Sequence, residues 1–291
     1  MEYLRGNAPA SATALYVICC YLSAFEDVKT DEDLRESLEV LRSLNSSKDE
    51  ASAVLKSSLT IGEGLELIAR EGARGPWSID GGIADRLKGD IDSWPWFRGE
   101  LLYRIGQHAL NAVAGDGRAP DLAIGLSWFL QLDPLGPPPL AWGAGPERMV
   151  REIGFEAISR SDQWRPFKRW ALATGLARIC EFRGAKVLIP DASTAIADQV
   201  ENLPQAASAQ DWLSALQARL PFLGSPELVS QLPQGGKDWL SPAPGAVLGL
   251  LKLEQAKVMK LEPSDDAADV VAVGLNSGSR QIGRISLGGS E

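Results

Sequence analysis

Apolar residues recur at helical spacing over residues 11–27, where Leu15, Ile18, Tyr21, Leu22 and Phe25 lie three and four positions apart. Thr30 or Asp31 caps a second expected helix, 31–42, with Leu34, Leu38 and Leu41 on one face and acids in its first turn. A third helical stretch covers 50–66, its end blurred by Gly62 and Gly64. A turn at 71–75 then joins a short apolar run near Leu67 and Ile68 to Trp77-Ser78-Ile79. Helix, helix, helix, hairpin is the order of a winged helix, a helix-turn-helix variant with a β-ribbon after its third helix.

The order returns twice. Asp121 opens a helix to about residue 131, and a loop with five prolines over 133–146 stops it. Helices are expected at 147–159 and 163–174, the second with Trp164, Phe167, Trp170 and Ala171 along one stripe and Gly175 at its end. Alternating arms at 176–181 and 186–190 flank the turn Phe182-Arg183-Gly184-Ala185, which predicts a hairpin. Further on, helices are expected at 208–220, 227–232 and 245–255. Antiparallel arms follow at 257–262 and 270–275 around Pro263-Ser264-Asp265-Asp266, then a last strand at 281–287. The pattern predicts a mainly α chain with short β-hairpins, built as three tandem winged-helix-like modules with separate small cores at 1–90, 91–203 and 204–291. A helical connector at 95–118 opens the second, and loops fall near 80–95 and 203–208. Pro95 is expected to keep Trp94-Pro95-Trp96-Phe97 out of a helix, because the residue before proline avoids the α region.

Composition narrows the chemistry more than the fold. At 291 residues, 45% hydrophobic and 23% charged, the chain can build real cores without disulfide or metal staples. No apolar run approaches the about 20 residues of a membrane span, and the first residues lack a signal-peptide pattern. Three cysteines, Cys19 and Cys20 adjacent, read as reduced thiols in the cytoplasm. Cys19, Cys20, Cys180 and the single histidine, His108, form no ligand pair for zinc, and His108 reads as a capping or core-edge residue rather than a general base. Gly235-Gly236-Lys237-Asp238 lacks the upstream glycine and following hydroxyl of a phosphate-binding loop. Pro190-Asp191 resembles a nuclease strand end, yet no Asp/Glu-x-Lys string follows, and Asp191 reads as the cap of a helix from Ser193. Asp265, Asp266 and Asp269 read as a solvated loop tip. No catalytic residue, metal or cofactor is expected.

Charge singles out one segment. The net charge is −9, which argues against a bulk nucleic-acid coat, but residues 160–186 hold seven basic residues and only two acidic ones. Arg165, Lys168 and Arg169 fall at i, i+3 and i+4 on the expected helix, and Arg178, Arg183 and Lys186 lie on its hairpin. If the chain touches DNA, these six are the expected contacts, and removing Lys168 and Arg169 together should flatten the salt dependence by about two units of log–log slope. A solvated helix face, or a dock for an acidic partner, is the bland alternative. Nine tryptophans are many for this length; Trp94, Trp96 and Trp142, beside prolines and glycines, read as core packing or as anchors for a partner protein.

Four strings carry a family likeness: D-L-A-I-G-L-S-W-F-L-Q-L-D-P at 121–134, V-L-I-P-D-A-S-T-A-I at 187–196, R-L-P-F-L-G at 219–224 and R-Q-I-G-R-I-S at 280–286. Over roughly residues 115–290 the chain resembles DpdG proteins, components of bacterial gene clusters that put deazapurines into DNA and restrict foreign DNA lacking them. The resemblance implies a non-enzymatic scaffold or adaptor subunit of an anti-phage assembly, working beside ATPase, helicase or nuclease subunits. A DNA-binding transcription regulator is the alternative that the fold class suggests. Against it, the third helix of the first module offers Lys56 beside Glu63 and Glu66, an acidic face for a phosphate-lined groove.

Overall fold

The computed structural model describes residues 1–25, 29–38, 48–72, 75–89, 92–233, 239–264, 270–275 and 278–288. The first unit holds α1 (Ala12–Ala24), α2 (Asp31–Ser37) and α3 (Lys48–Gly64), then the hairpin β1 (Ile68–Arg70) and β2 (Trp77–Ile79). Ser11 caps α1 by accepting from the Ala14 N–H, and Thr30 with Asp33 forms a reciprocal capping box on α2. The expected run of α2 to residue 42 passes outside the described residues, as do 235–238 and the acids 265, 266 and 269.

Two departures follow. Residues 81–89, expected as loop, form α4 (Gly81–Gly89), because the Asp80 carboxylate accepts from the Ile83 N–H and supplies the cap that the glycine pair conceals. Helix α5 (Trp94–Ala114) begins at the tryptophan before Pro95, correcting the expectation that proline excludes helix there. Pro95 occupies the first turn, where a backbone N–H has no helical acceptor and its loss costs nothing.

The second unit repeats the first: α6 (Asp121–Leu130), a single turn at Trp142–Ala144, α7 (Pro146–Glu152), α8 (Ser161–Ala173), then β3 (Ala177–Phe182) paired with β4 (Ala185–Pro190). Helix α7 is shorter than the expected 147–159. Gly154, at φ 64, turns the chain left-handed and brings the Phe155 N–H onto the Val150 carbonyl. In both units the chain between the first two helices adds one bridge to the hairpin, Lys29 to Trp77 and Pro139 to Val187.

The third unit follows α9 (Ser193–Ala197) and comprises β5 (Ala206–Ser208), α10 (Ala209–Arg219), α11 (Pro226–Val229), α12 (Pro244–Gln255), β6 (Met259–Pro263), β7 (Val271–Val273) and β8 (Arg280–Leu287). The alternation predicts that β6 and β7 pair with each other; instead both pair with β8, which also takes β5. Across the described residues the β structure is three separate small antiparallel sheets.

The interiors are not separate, however. Buried apolar side chains form one connected cluster running from Tyr3 to Ile285, so the expectation of three independent cores gives way. Helix α6, buried on all sides, lies within it, apolar around its whole circumference as such a helix must be. Its one charged residue, Asp121, is also buried. Asp121 Oδ1 accepts from the N–H groups of Tyr3 (2.7 Å) and Leu122 (2.8 Å), and Oδ2 from those of Leu4 (2.9 Å) and Arg5 (3.2 Å). The N-terminal arm of the first unit is therefore pinned to the second. A bidentate pair from Arg98 on α5 to Asp198 ties the connector to the chain after α9. At Gly249 on α12 a Cβ would lie 2.9 Å from the Ser193 nitrogen, so only glycine lets α12 and α9 approach this closely.

Candidate nucleic-acid interface

The six basic side chains expected to form one surface divide into two sets. On α8, Lys168 Nζ donates to the Leu140 carbonyl (3.1 Å), which also accepts from Trp164 Nε1 (3.0 Å). Burial, then the neighbouring Arg165 charge, lowers the Lys168 pKa. The Arg169 guanidinium holds the carbonyls of Ala8 and Ala10, closing the N-terminal arm onto α8. Arg178, at the base of β3, places Nε 2.9 Å from Asp191 Oδ2 and reaches Ser193 Oγ and Thr194 Oγ1. These three cations have internal partners.

Arg165, Arg183 and Lys186 differ. All three are exposed, and among the described residues none has a side-chain hydrogen bond or ion pair. Arg183 lies over the ring of Phe182, 5.1 Å from its centroid. Sharing one helix face does not bring Arg165, Lys168 and Arg169 to a common surface, because backbone carbonyls capture two of the three heads.

Asp191 caps α9, accepting from the Ser193 N–H at 2.9 Å, while its other oxygen takes Lys252 from α12 at 2.6 Å as well as Arg178. Burial alone would raise its pKa; the hydrogen bonds from Lys252 and Ser193, with the lysine charge, outweigh that and hold it below the usual carboxylate range. This carboxylate joins the second hairpin to the third unit. His108, half-buried on α5, leaves Nδ1 without a partner, and burial followed by the N-terminal charge lowers its pKa.

The three tryptophans proposed as partner anchors all pack partly against the core. Trp94 meets Tyr16 edge-on at 5.1 Å and stacks with Phe97 at 6.2 Å. Trp96 carries the Arg86 guanidinium at 5.8 Å, and Trp142 tilts onto Trp164 at 6.1 Å. A cleft of about 450 Å³ opens where Arg5, Arg118 and Asp121 meet Phe155 and Glu156. Arg118 is paired with the Glu156 carboxylate, and Arg5 bonds the Glu156 carbonyl and lies 3.9 Å from Glu2, so neither arginine stands free for a ligand.

Phe182, expected only as a turn residue, is one of the exposed large apolar side chains, with Ile179 on the same strand. The available signal was a Phe-Arg-Gly string at a hairpin turn, where small polar residues are usual.

Fold and surface together define a mainly helical protein with three helix–hairpin units, the middle one carrying Arg165, Arg183 and Lys186 exposed and, among the described residues, without a bonded carboxylate. The DpdG-like family model matches residues 2–267, and the chain belongs to that family. The match takes in the residues before 115, which the four strings do not reach, and ends before the 280–286 string. Membership places the chain in the Dpd system, with other subunits of that system as its implied partners. No curated protein and no solved structure matches it. Among the described residues no helix is long and apolar enough to cross a membrane.

Proposed function

We propose that the chain is a non-enzymatic, cytoplasmic scaffold or adaptor subunit of the Dpd anti-phage assembly, contacting DNA through its second unit. The three units are winged helices in this reading. Their order, and the extra strand bridge beside the first two hairpins, support it. One observation carries the DNA contact: Arg165, Arg183 and Lys186 stand exposed and unpaired on one unit of a chain whose net charge is −9. Cations whose charged heads are exposed and held by no internal bond are free to reach a phosphate, and about three such contacts give weak, strongly salt-dependent binding with little sequence preference.

The test has two arms. Affinity purification from the native host should recover ATPase, helicase or nuclease subunits of the same system; recovery of the chain alone contradicts the scaffold. Gel-shift titration of a mixed-sequence duplex at two salt concentrations should give a log–log slope near about −3. Absence of binding at low salt removes the DNA contact and leaves the scaffold.

A further inference from the structure

The second hairpin closes on a two-residue turn, with Phe182 opposite Ala185 and Arg183 and Gly184 at φ 51 and 77. Two successive positive φ values define a type I′ turn, whose twist matches that of its strands, so this tip is a continuation of the ladder. Residues 181–186 are all exposed. Phe182 stands 42% exposed, and among the described residues its one ring contact is the Arg183 guanidinium. The fold gains little by placing a phenyl ring there, and a left-handed φ is an uncommon setting for arginine. Both choices make sense if the tip meets something outside the chain.

The chemistry of that partner follows from the tip. Arg183 and Lys186 have no carboxylate bonded to them, although Glu181 lies across the ladder from Lys186, so the free charge is positive and directed outward. The minor groove of duplex DNA, about 6 Å wide, is too narrow for a helix but takes single side chains presented from a turn. Narrow grooves concentrate negative potential and attract arginine. Apolar side chains beside such an arginine can enter between base pairs and unstack them. The connections of the other paired neighbours lack this combination: residues 71–76 set Glu71 against Arg74 and hold no aromatic residue, and residues 274–279, between β7 and β8, hold no charged or aromatic residue.

We propose that the tip of the second hairpin is a minor-groove wedge, with Arg183 entering the groove of duplex DNA and Phe182 pressing its ring into a base step. The proposal rests on the DNA contact inferred above and adds to it a deformation of the duplex. Lys186, two positions behind the turn, lies on the arm that would flank a phosphate track. Flexible pyrimidine–purine steps, which unstack most easily, are the preferred substrate.

The test uses the full chain and a 20-base-pair duplex, about two helical turns, whose central TpA step carries 2-aminopurine in place of the adenine. Saturating wild-type protein at low salt should raise the 2-aminopurine emission about threefold or more as the base unstacks. Phe182→Ala should abolish the rise while holding Kd within about threefold, because phosphate contacts set affinity. Phe182→Leu, still apolar, should keep most of it. Arg183→Ala should weaken binding about tenfold. Thermal melting of each variant checks that the fold is unchanged, as expected for a solvent-exposed tip. Saturable wild-type binding without a rise, or an undiminished rise in Phe182→Ala, overturns the wedge while the DNA contact stands. No wild-type binding at low salt overturns both.

Discussion

In the first unit the arginine of β1 turns inward. Arg70 donates to the Gly75 carbonyl and to Asp31, and its guanidinium lies 5.1 Å from the Trp77 ring centroid. Trp77 Nε1 in turn donates to the other oxygen of Asp31, so one carboxylate at the start of α2 organises the base of that hairpin. The second unit repeats the order of elements and the extra bridge, yet Arg183 and Lys186 on its hairpin point at solvent with no acid bound. The difference is not one of fold. It lies in whether a carboxylate is positioned to take the cation, which a count of charges along the chain does not reveal.

The joint between the two units gives the largest expected effect. Asp121→Ala strips acceptors from four backbone N–H groups, three of them on the N-terminal arm. Each buried donor left unsatisfied costs about 1–3 kcal/mol, so the substitution should destabilise by about 3 kcal/mol or more. Urea unfolding checks this. A loss under about 1 kcal/mol would mean that water replaces the carboxylate and the arm is not held by it.

Within the second unit, the two sets of cations should separate by what they change. Replacing Arg165, Arg183 and Lys186 together by alanine should flatten the salt slope of duplex binding by about two to three units, with stability unchanged within about 0.5 kcal/mol. Replacing Lys168 and Arg169 should do the reverse: cost about 1–2 kcal/mol of stability through the freed carbonyls and leave the slope nearly intact. If the slope instead follows Lys168 and Arg169, the division into bonded and free cations is wrong. Fluorescence titration at several salt concentrations, beside melting curves, reads both quantities.

Much of this architecture is legible in the sequence because each hairpin sits between apolar alternation and a turn signal. Phe182-Arg183-Gly184 predicts the β3–β4 turn from local chemistry alone, and the structure places it there. Two misses are local: the glycine pair conceals the Asp80 cap of α4, and Pro95 is harmless because it falls in the first turn of α5. The basic surface is illegible because distant groups decide it. Periodicity puts Arg165, Lys168 and Arg169 on one face, but the Leu140 and Ala8 carbonyls that divide them come from remote loops. The pairing of β6 and β7 with β8 rather than with each other is a choice of partner that local alternation leaves open.

Asp191 extends the comparison to pH. Its carboxyl is held below the ordinary 3.8, so the stability it contributes is present above 3.8 and is lost as pH falls through the lowered native value. Asp191→Asn should cost about 2 kcal/mol at pH 7, discounted because Lys252 and Arg178 are partly exposed. Below pH 3.8 the gap between wild type and variant should close. Urea midpoints measured between pH 7 and 3 test the sign, and a gap that widens toward low pH contradicts it.

The smallest expected effect returns to Arg70. Its partners, Asp31 and the Trp77 ring, lie within the first unit, and its side chain is mostly covered. Arg70→Ala should therefore lower stability by about 1 kcal/mol, the usual size for a partly exposed ion pair with a ring contact. Its effect on the duplex salt slope should fall below about 0.3 units, because a cation already neutralised by Asp31 releases no counterion from DNA. Asp31→Asn is the sharper variant. It removes the acid partner of Arg70 while keeping an oxygen for Trp77 Nε1, leaving that cation un-neutralised with only the Gly75 carbonyl and the Trp77 ring beside it. If unpaired charge alone makes a hairpin a DNA contact, that variant should steepen the slope by about one unit. An unchanged slope would mean that the tip residues of the second hairpin, and not its free charge, distinguish the two.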